Sequence, residues 1–264
     1  MQRRYWAEGG LPHTAGNNSR PEIAMQPAAD FATFRVDWPD LGFCDWLRHR
    51  SRPLWEAMVG HRFTRDMGTD RLPRAAFVRY LRYEHAFVRT AVRIFGHALI
   101  AAPTTEDRVH IVGILSGLVI EQEAYFARQF AALELDAEPL PAACLPDAAL
   151  ALSEGALAIA AHGSFEEILS AMLAAEWMYH SWCSAAHAAG PRQPGPADWI
   201  ALHVAPGFAD GVTWTKARVN ELGPVLDPYR QARCAEGFAR MLRLEIAFHG
   251  APYDSSGSSA AVTD

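Results

Sequence analysis

Three glutamates interrupt stretches that are otherwise apolar or aromatic. The sequence places Glu84 in YLRYEHAFV, Glu176 in LAAEWMY and Glu245 in LRLEIAF. A carboxylate is costly to bury without a partner, because loss of water disfavours its charged form. If the three acids converge, they form a pocket of coupled carboxyl groups that can serve as acid, base and substrate anchor.

Each glutamate also has an ordinary explanation. A single helical glutamate more often pairs with a nearby arginine or lies at the surface, and Arg82, Arg89, Arg240 and Arg243 are all within reach along the chain. The three glutamates, however, all have aromatic and apolar neighbours. This shared environment favours a functional pocket over three separate ion pairs.

A competing constellation lies along one predicted helix. Glu176, His180, Cys183 and His187 follow at intervals of four, three and four residues, so they share one helical stripe. From Glu176 to His187 the stripe spans about 16 Å at 1.5 Å per residue. A single ion could therefore be ligated by only two adjacent residues of the stripe. The Glu-x-x-His pair of di-iron bundles is also missing from the sequence. We therefore expect no metal and no cofactor.

Other chemistries find little support. The sequence contains no Gly-x-Ser-x-Gly elbow and no Gly-rich phosphate loop. Its four cysteines are scattered and form no recognisable nucleophile motif.

The elements that would position the acids are all helical. The region 73–100 places apolar residues at spacings of three and four, and Thr104 and Ser164 each begin a capping pattern. No alternating strand pattern is found, so the sequence predicts a single-domain all-α bundle. The predicted helices cover about 41–60, 73–100, 147–162, 164–190, 196–204, 208–222 and 228–249, with one more beginning after Thr104.

Composition limits the remaining possibilities. The chain has 264 residues, a net charge of −6 and 50% hydrophobic residues. An acidic chain without a basic patch is not expected to bind nucleic acid. The longest apolar stretch, 111–120, is about half of a membrane span, and residues 1–35 carry no signal-peptide core. We expect a cytoplasmic protein with no membrane partner, a disordered tail over 1–35, a helical domain over 36–253 and a disordered tail over 254–264.

Several stretches resemble the TenA family, the thiaminase II proteins of the haem-oxygenase-like fold. The resemblance covers about residues 40–253 with compatible spacing. It is carried by Leu54-Trp55, His61-Arg62-Phe63, Phe77-x-x-Tyr80-Leu81-x-x-Glu84-His85-x-Phe87-Val88, Gly163-Ser164-Phe165, Ala175-Glu176-Trp177-x-Tyr179, Trp199-Ile200-x-x-His203 and Glu245-x-x-Phe248-His249.

The resemblance implies a role for individual positions. Glu84 stands where the family has an aspartate that hydrogen-bonds an aminopyrimidine, and Phe87 matches the aromatic residue that packs on its ring. Glu245 matches the catalytic glutamate, and Tyr179 matches a tyrosine of the site. His203 stands where the family usually has a tyrosine that assists the nucleophile. We expect Trp177 to join Phe87 in stacking on the ring.

Two departures from the family pattern change the expected chemistry. Ala175 fills the position of the nucleophilic cysteine, and Leu152 fills that of a stacking tyrosine. Without a thiolate, the covalent route to thiamin cleavage is lost. The Ala-Ala-Glu-Trp stretch resembles a subgroup with a glutamate in place of the cysteine, although Glu176 lies one residue further on, about 100° around the helix.

The resemblance therefore implies a hydrolase of thiamin salvage. Its substrate would be amino- or formylamino-aminomethyl-methylpyrimidine, and Glu245 and Glu176 would divide the proton transfers. The family also implies a homo-oligomer, either a dimer or a tetramer. Two alternatives remain open: a non-haem iron oxidase on the same fold, and a catalytically degenerate protein that binds a pyrimidine or regulates.

Overall fold

The computed structural model describes residues 30–254, and these form a helical bundle without a strand. The all-α prediction is confirmed. Twelve α-helices occur in this region. They are α1 Phe31–Asp37, α2 Phe43–Arg50, α3 Arg52–Val59, α4 Arg62–Gly68, α5 Arg74–Ala101, α6 Thr105–Ser116, α7 Glu123–Ala132, α8 Asp147–His162, α9 Phe165–Ala189, α10 Pro194–Leu202, α11 Pro206–Leu222 and α12 Pro228–Gly250.

The long helices begin and end where the sequence signals predict. Helix α6 starts with a capping box, in which Thr104 Oγ1 accepts from the Asp107 N–H at 3.0 Å and the Asp107 carboxylate accepts from the Thr104 N–H at 3.3 Å. Helix α9 ends at Gly190, whose φ of 72° is a left-handed conformation that glycine adopts without strain. The predicted bounds of α8, 147–162, are those observed.

The predicted N-terminal tail is wrong for residues 31–35, which belong to helix α1. Asp30 caps this helix by accepting from the Thr33 N–H at 2.7 Å. Phe31 and Phe34 are buried against the α2 aromatic residues, and this burial offsets the entropy of ordering a short helix. The rest of the predicted tails, 1–29 and 255–264, lies outside the described residues.

Other boundaries differ in smaller ways. The predicted helix over 41–60 is two helices divided at Ser51, with Pro53 in the first turn of α3, where a missing N–H costs nothing. Helix α4 was not predicted, because seven residues are too short to show a clear period.

Helix α9 is the centre of the bundle. It packs most extensively against α12 and also contacts α4, α8, α10 and α11. Its residues are buried around nearly the whole circumference, as expected for a helix surrounded by others. The three glutamates of interest lie on α5, α9 and α12, so α9 connects the regions that contain them.

The stretch Thr105–Ala132 differs from the rest of the bundle. Helices α6 and α7 are joined without a break by a π-helical segment, Gly117–Gln122. The stretch is long and apolar enough to cross a membrane by length and composition alone, which is weak evidence by itself. It is largely exposed, and Val109, Val119 and Ile120 leave more than half of their surface uncovered.

The end of α11 depends on a close approach to α2. A Cβ built on Gly223 would lie 2.1 Å from Phe43 Cγ, a ring that is itself fully buried. We predict that Gly223→Ala lowers the free energy of unfolding by about 1–3 kcal/mol, because the ring must move out of a packed site. Urea denaturation measures this change.

The matched control is Gly96→Ala in the interior of α5. A Cβ there meets nothing within 4 Å, so the substitution is expected to gain up to about 1 kcal/mol from helix propensity. A Gly223→Ala protein as stable as the parent would contradict the packing described here.

Candidate active site

The carboxyl group of Glu84 lies in the core, held by two tyrosines. The Tyr179 hydroxyl donates to Glu84 Oε2 at 3.4 Å, and the hydroxyls of Tyr80 and Tyr179 lie 2.9 Å apart. Glu84 is 6% exposed. Burial raises its pKa to about 8, while the hydrogen bonds from the tyrosines act in the opposite direction. Near neutral pH, Glu84 is therefore mainly a carboxylic acid.

Glu245 on α12 is more deeply buried than Glu84. Burial first, and then the nearby Glu84 carboxyl, raise the pKa of Glu245 well above its usual value. Its Oε2 has no hydrogen-bond partner among the described residues. Two acids that interact in this way resist ionising together, so they titrate as a pair and not as two independent groups.

His249 lies one turn after Glu245 on the same helix. Its Nδ1 is 2.8 Å from the Glu245 backbone oxygen and 3.5 Å from Glu245 Oε2. A carbonyl oxygen only accepts, so Nδ1 carries the proton and Nε2 is the free acceptor. Burial lowers the pKa of His249 to about 3, which keeps the ring neutral. The pair therefore contributes an acid and a neutral imidazole, and both Glu245 Oε2 and His249 Nε2 lack partners in the described chain.

Aromatic rings enclose the two acids. His203 stacks on Tyr179 with ring centroids 4.9 Å apart, and its Nδ1 donates to the Trp199 backbone oxygen at 2.9 Å. Burial lowers the pKa of His203 to about 4, so this ring is neutral as well. Phe87, one turn after Glu84, is buried near Phe248 with centroids 6.5 Å apart.

The structure thus brings together five of the seven residues predicted for the site: Glu84, Phe87, Tyr179, His203 and Glu245. Tyr80 and His249 also belong here, and sequence reasoning did not assign them. The signal was present, since Tyr80 lies four residues before Glu84 and His249 four residues after Glu245, on the same helical faces.

Trp177 lies elsewhere. Its ring packs against Trp55 at 4.9 Å, with the Arg48 guanidinium at 4.8 Å and Lys216 Nζ at 4.0 Å. Residues two apart on a helix point about 200° apart, so Trp177 and Tyr179 occupy opposite faces of α9. The structure does not place Trp177 beside Phe87, and its stacking role stays a prediction.

Glu176 is not placed beside the other two acids. Its carboxyl group meets Thr215 and a cavity between α6 and α11, and none of Glu84, Tyr179 or Glu245 lines that cavity. Burial raises the pKa of Glu176 to about 8, opposed by the hydrogen bond with Thr215. The predicted division of proton transfers between Glu176 and Glu245 is therefore not visible in this arrangement.

The two departures from the TenA pattern are both buried. Ala175 is 5% exposed and Leu152 is 1% exposed, so both positions belong to the core. A methyl group at 175 places no nucleophile beside Tyr179, which lies one turn further along α9. Within residues 30–254, no cluster of three or more histidine, cysteine, aspartate or glutamate side chains is arranged to hold a metal ion.

Fold and site together define an all-α bundle with a buried carboxyl pair at its centre. The family model described as the TENA/THI-4/PQQC family matches residues 48–255. The chain belongs to this family.

Individual relatives are distant in sequence. The chain is 23% identical over 231 residues to an aminopyrimidine aminohydrolase of Halalkalibacterium halodurans, covering 81% of this chain and 96% of that protein. A TenA homologue from Pyrococcus furiosus matches with a TM-score of 0.74 at 18% identity, covering 80% of this chain and all of that one. A putative TenA-like thiaminase from Sulfolobus solfataricus matches at 0.67 and 17%, covering 80% and 96%. The shared fold is the haem-oxygenase-like bundle that the resemblance predicted.

The protonated core makes stability depend on pH. Glu84 has a pKa of about 8 in the folded protein and about 4.5 when unfolded, so the folded state holds more protons between these values. The free energy of unfolding must therefore fall as the pH rises toward 8, by at most about 1.4 kcal/mol per pH unit for each carboxyl. We predict a shallower slope for Glu84→Gln, which cannot ionise.

Urea denaturation from about pH 6.5 to about pH 8 tests this dependence. Below about pH 6.5, His203 and His249 make the free energy of unfolding rise with pH. Their pKa values are lowered in the folded protein, so the unfolded state binds more protons there. Parallel slopes for parent and variant would show that Glu84 is ionised in the folded protein.

Proposed function

We propose that this chain is a hydrolase that cleaves a C–N bond of an aminopyrimidine in thiamin salvage. The observation that carries the proposal is the buried pair Glu84 and Glu245, with tyrosine hydroxyls on one acid and a neutral histidine beside the other. The relative named aminopyrimidine aminohydrolase supports the substrate class. Amino- and formylamino-aminomethyl-methylpyrimidine are the proposed substrates.

Glu84 is suited to hold the pyrimidine ring. An aminopyrimidine presents an amine donor next to a ring nitrogen acceptor, and a carboxylic acid presents an acceptor next to a donor, so the two form a pair of parallel hydrogen bonds. If the proton moves to the ring nitrogen, the same two bonds join a carboxylate to a cation. Phe87 would pack on the ring face. Tyr179 and Tyr80 hold the carboxyl group in place.

Glu245 is suited to transfer the reaction's proton. As an acid, it donates a proton to the departing nitrogen while the C–N bond breaks. As the resulting carboxylate, it takes a proton from the water whose oxygen bonds to the carbon, and this restores the acid. Each cleavage consumes one water: the aminomethyl substrate gives ammonia and a hydroxymethylpyrimidine, and the formylamino substrate gives the free amine and formic acid. Because Oε2 has no partner in the described chain, it is available for the substrate.

The absence of a cysteine at 175 excludes the thiolate route at that position. Alanine cannot attack carbon, so thiamin cleavage through a covalent intermediate at residue 175 has no nucleophile. Water activated by a carboxyl group is the remaining nucleophile in this proposal.

We also propose that the protein is a homo-oligomer, a dimer or a tetramer. The exposed apolar side chains of the Thr105–Ala132 stretch support it, because a second copy would cover a surface that water solvates poorly.

We predict that the purified protein turns over at least one of the two proposed pyrimidines but not thiamin. Product formation is followed by mass spectrometry. Turnover of thiamin would reveal a nucleophile outside the proposed site. Binding of a pyrimidine without any turnover would favour the degenerate binder over the enzyme.

A comparison of two glutamine variants tests the assignment of the proton transfer. We predict that Glu245→Gln lowers kcat by about 10²–10⁴-fold, as expected for the loss of a general acid–base group. Glu176→Gln serves as the matched variant, because Glu176 lines the α6–α11 cavity and not the site of Glu84 and Glu245, and we expect a much smaller loss. Equal losses would support the division of proton transfer between the two acids that the sequence predicts.

A further inference from the structure

A second candidate site lies on the side of α9 that carries Glu176. A cavity of about 370 Å³ is enclosed by α6, the π-helical segment and the N-terminal half of α11. Its walls include Leu118, Phe208 and Trp214. Neither Glu84 nor Glu245 lines it, and its wall residue Phe208 packs on His203 of the core site with ring centroids 4.8 Å apart. Its volume suits a ligand with one aromatic ring.

The cavity is built into the fold. Glycines on both walls leave the space open, and a Cβ added at Gly113, Gly117 or Gly207 meets nothing within 4 Å. The two walls are held together by an ion pair, with Arg218 Nε 2.7 Å from Asp107 Oδ1. The π-helical segment contributes part of the wall, and such irregularities in helices occur frequently at functional sites.

Apart from one histidine, the ionisable side chains that line the cavity are all carboxylic acids. Glu176, Glu121 and Asp210 line it, and none of the described lining residues is a lysine or an arginine. The one histidine, His110, stacks on Trp214 with ring centroids 4.7 Å apart. A cation is therefore the ligand that this lining favours, and the aromatic walls add cation–π attraction.

Glu176 provides a group that needs a partner. Its Oε2 is buried without a hydrogen bond among the described residues, although the residue as a whole keeps some surface toward the cavity. An unsatisfied buried acceptor destabilises the protein, and a ligand with N–H donors would remove that cost. A carboxyl group whose pKa is raised to about 8 by burial gains most from a neighbouring positive charge.

We propose that this cavity binds a planar aromatic cation with N–H donors, of the aryl amidine class, and that Glu176 is its counter-ion. The ring lies between the apolar walls, and the donors face the Glu176 carboxylate. This site goes beyond the proposed function, since it requires neither Glu84 nor Glu245 and no reaction.

Benzamidine is the probe, because it keeps its charge throughout the range needed. Isothermal titration calorimetry with the full chain should show saturable binding that Glu176→Gln weakens at least tenfold and Glu245→Gln leaves unchanged. Affinity should increase from about pH 6 to about pH 8, by up to tenfold per pH unit, because Glu176 must ionise to pair with the cation. Glu176→Gln should remove this increase although the neighbouring His110, His180 and Lys216 remain. Benzamide, neutral and of similar shape, should bind more weakly.

A second variant keeps the test independent of Glu176. Gly113→Leu fills the cavity while improving the helix propensity of α6, so it should fold and lose benzamidine binding. Thermal denaturation checks its folding. The proposal is overturned if benzamidine does not bind, if neither Glu176→Gln nor Gly113→Leu weakens it, if benzamide binds equally well, or if Glu245→Gln abolishes it. The last result would place the ligand in the core site, and pyrimidine turnover tests that site separately.

Discussion

The cost of keeping charge out of water governs the centre of this protein. Glu84 and Glu245 lie among aromatic rings, and each raises the cost of ionising the other. The least costly state retains protons on both, with the nearby histidines neutral for the same reason. The carboxyl groups in the core therefore stay protonated near neutral pH, as proton donation to a leaving nitrogen requires.

Helix α9 distributes its side chains among three environments. One face presents Tyr179 to the acid pair, the next presents Glu176 to the α6–α11 cavity, and the opposite face packs Trp177 between Trp55 and Lys216. Because neighbouring residues are 100° apart, three nearly consecutive positions serve different purposes. An offset of one residue along α9 therefore decides whether a carboxyl group points into the core site or into the α6–α11 cavity.

That offset also marks where sequence reasoning succeeded and where it ended. Periodicity and capping patterns predicted α5, α8, α9 and α12 closely, because long helices with one buried face leave a strong pattern. The grouping of Glu84 with Glu245 followed from family spacing. The orientation of the Glu176 side chain could not be predicted from the sequence. It depends on whether the environment beside Thr215 or that in the core is more favourable for the carboxyl group. The short helix α1 was missed, since its stability comes from packing on α2 rather than from its own sequence.

The proposed proton transfer requires that Glu84 and Glu245 are protonated carboxylic acids near neutral pH. Infrared difference spectroscopy at neutral pH, comparing the parent with Glu84→Gln and Glu245→Gln, measures it directly. We predict a carbonyl stretching band of a protonated carboxylic acid in the parent that loses intensity in each variant. A parent spectrum that shows only carboxylate bands for these two residues would contradict the account.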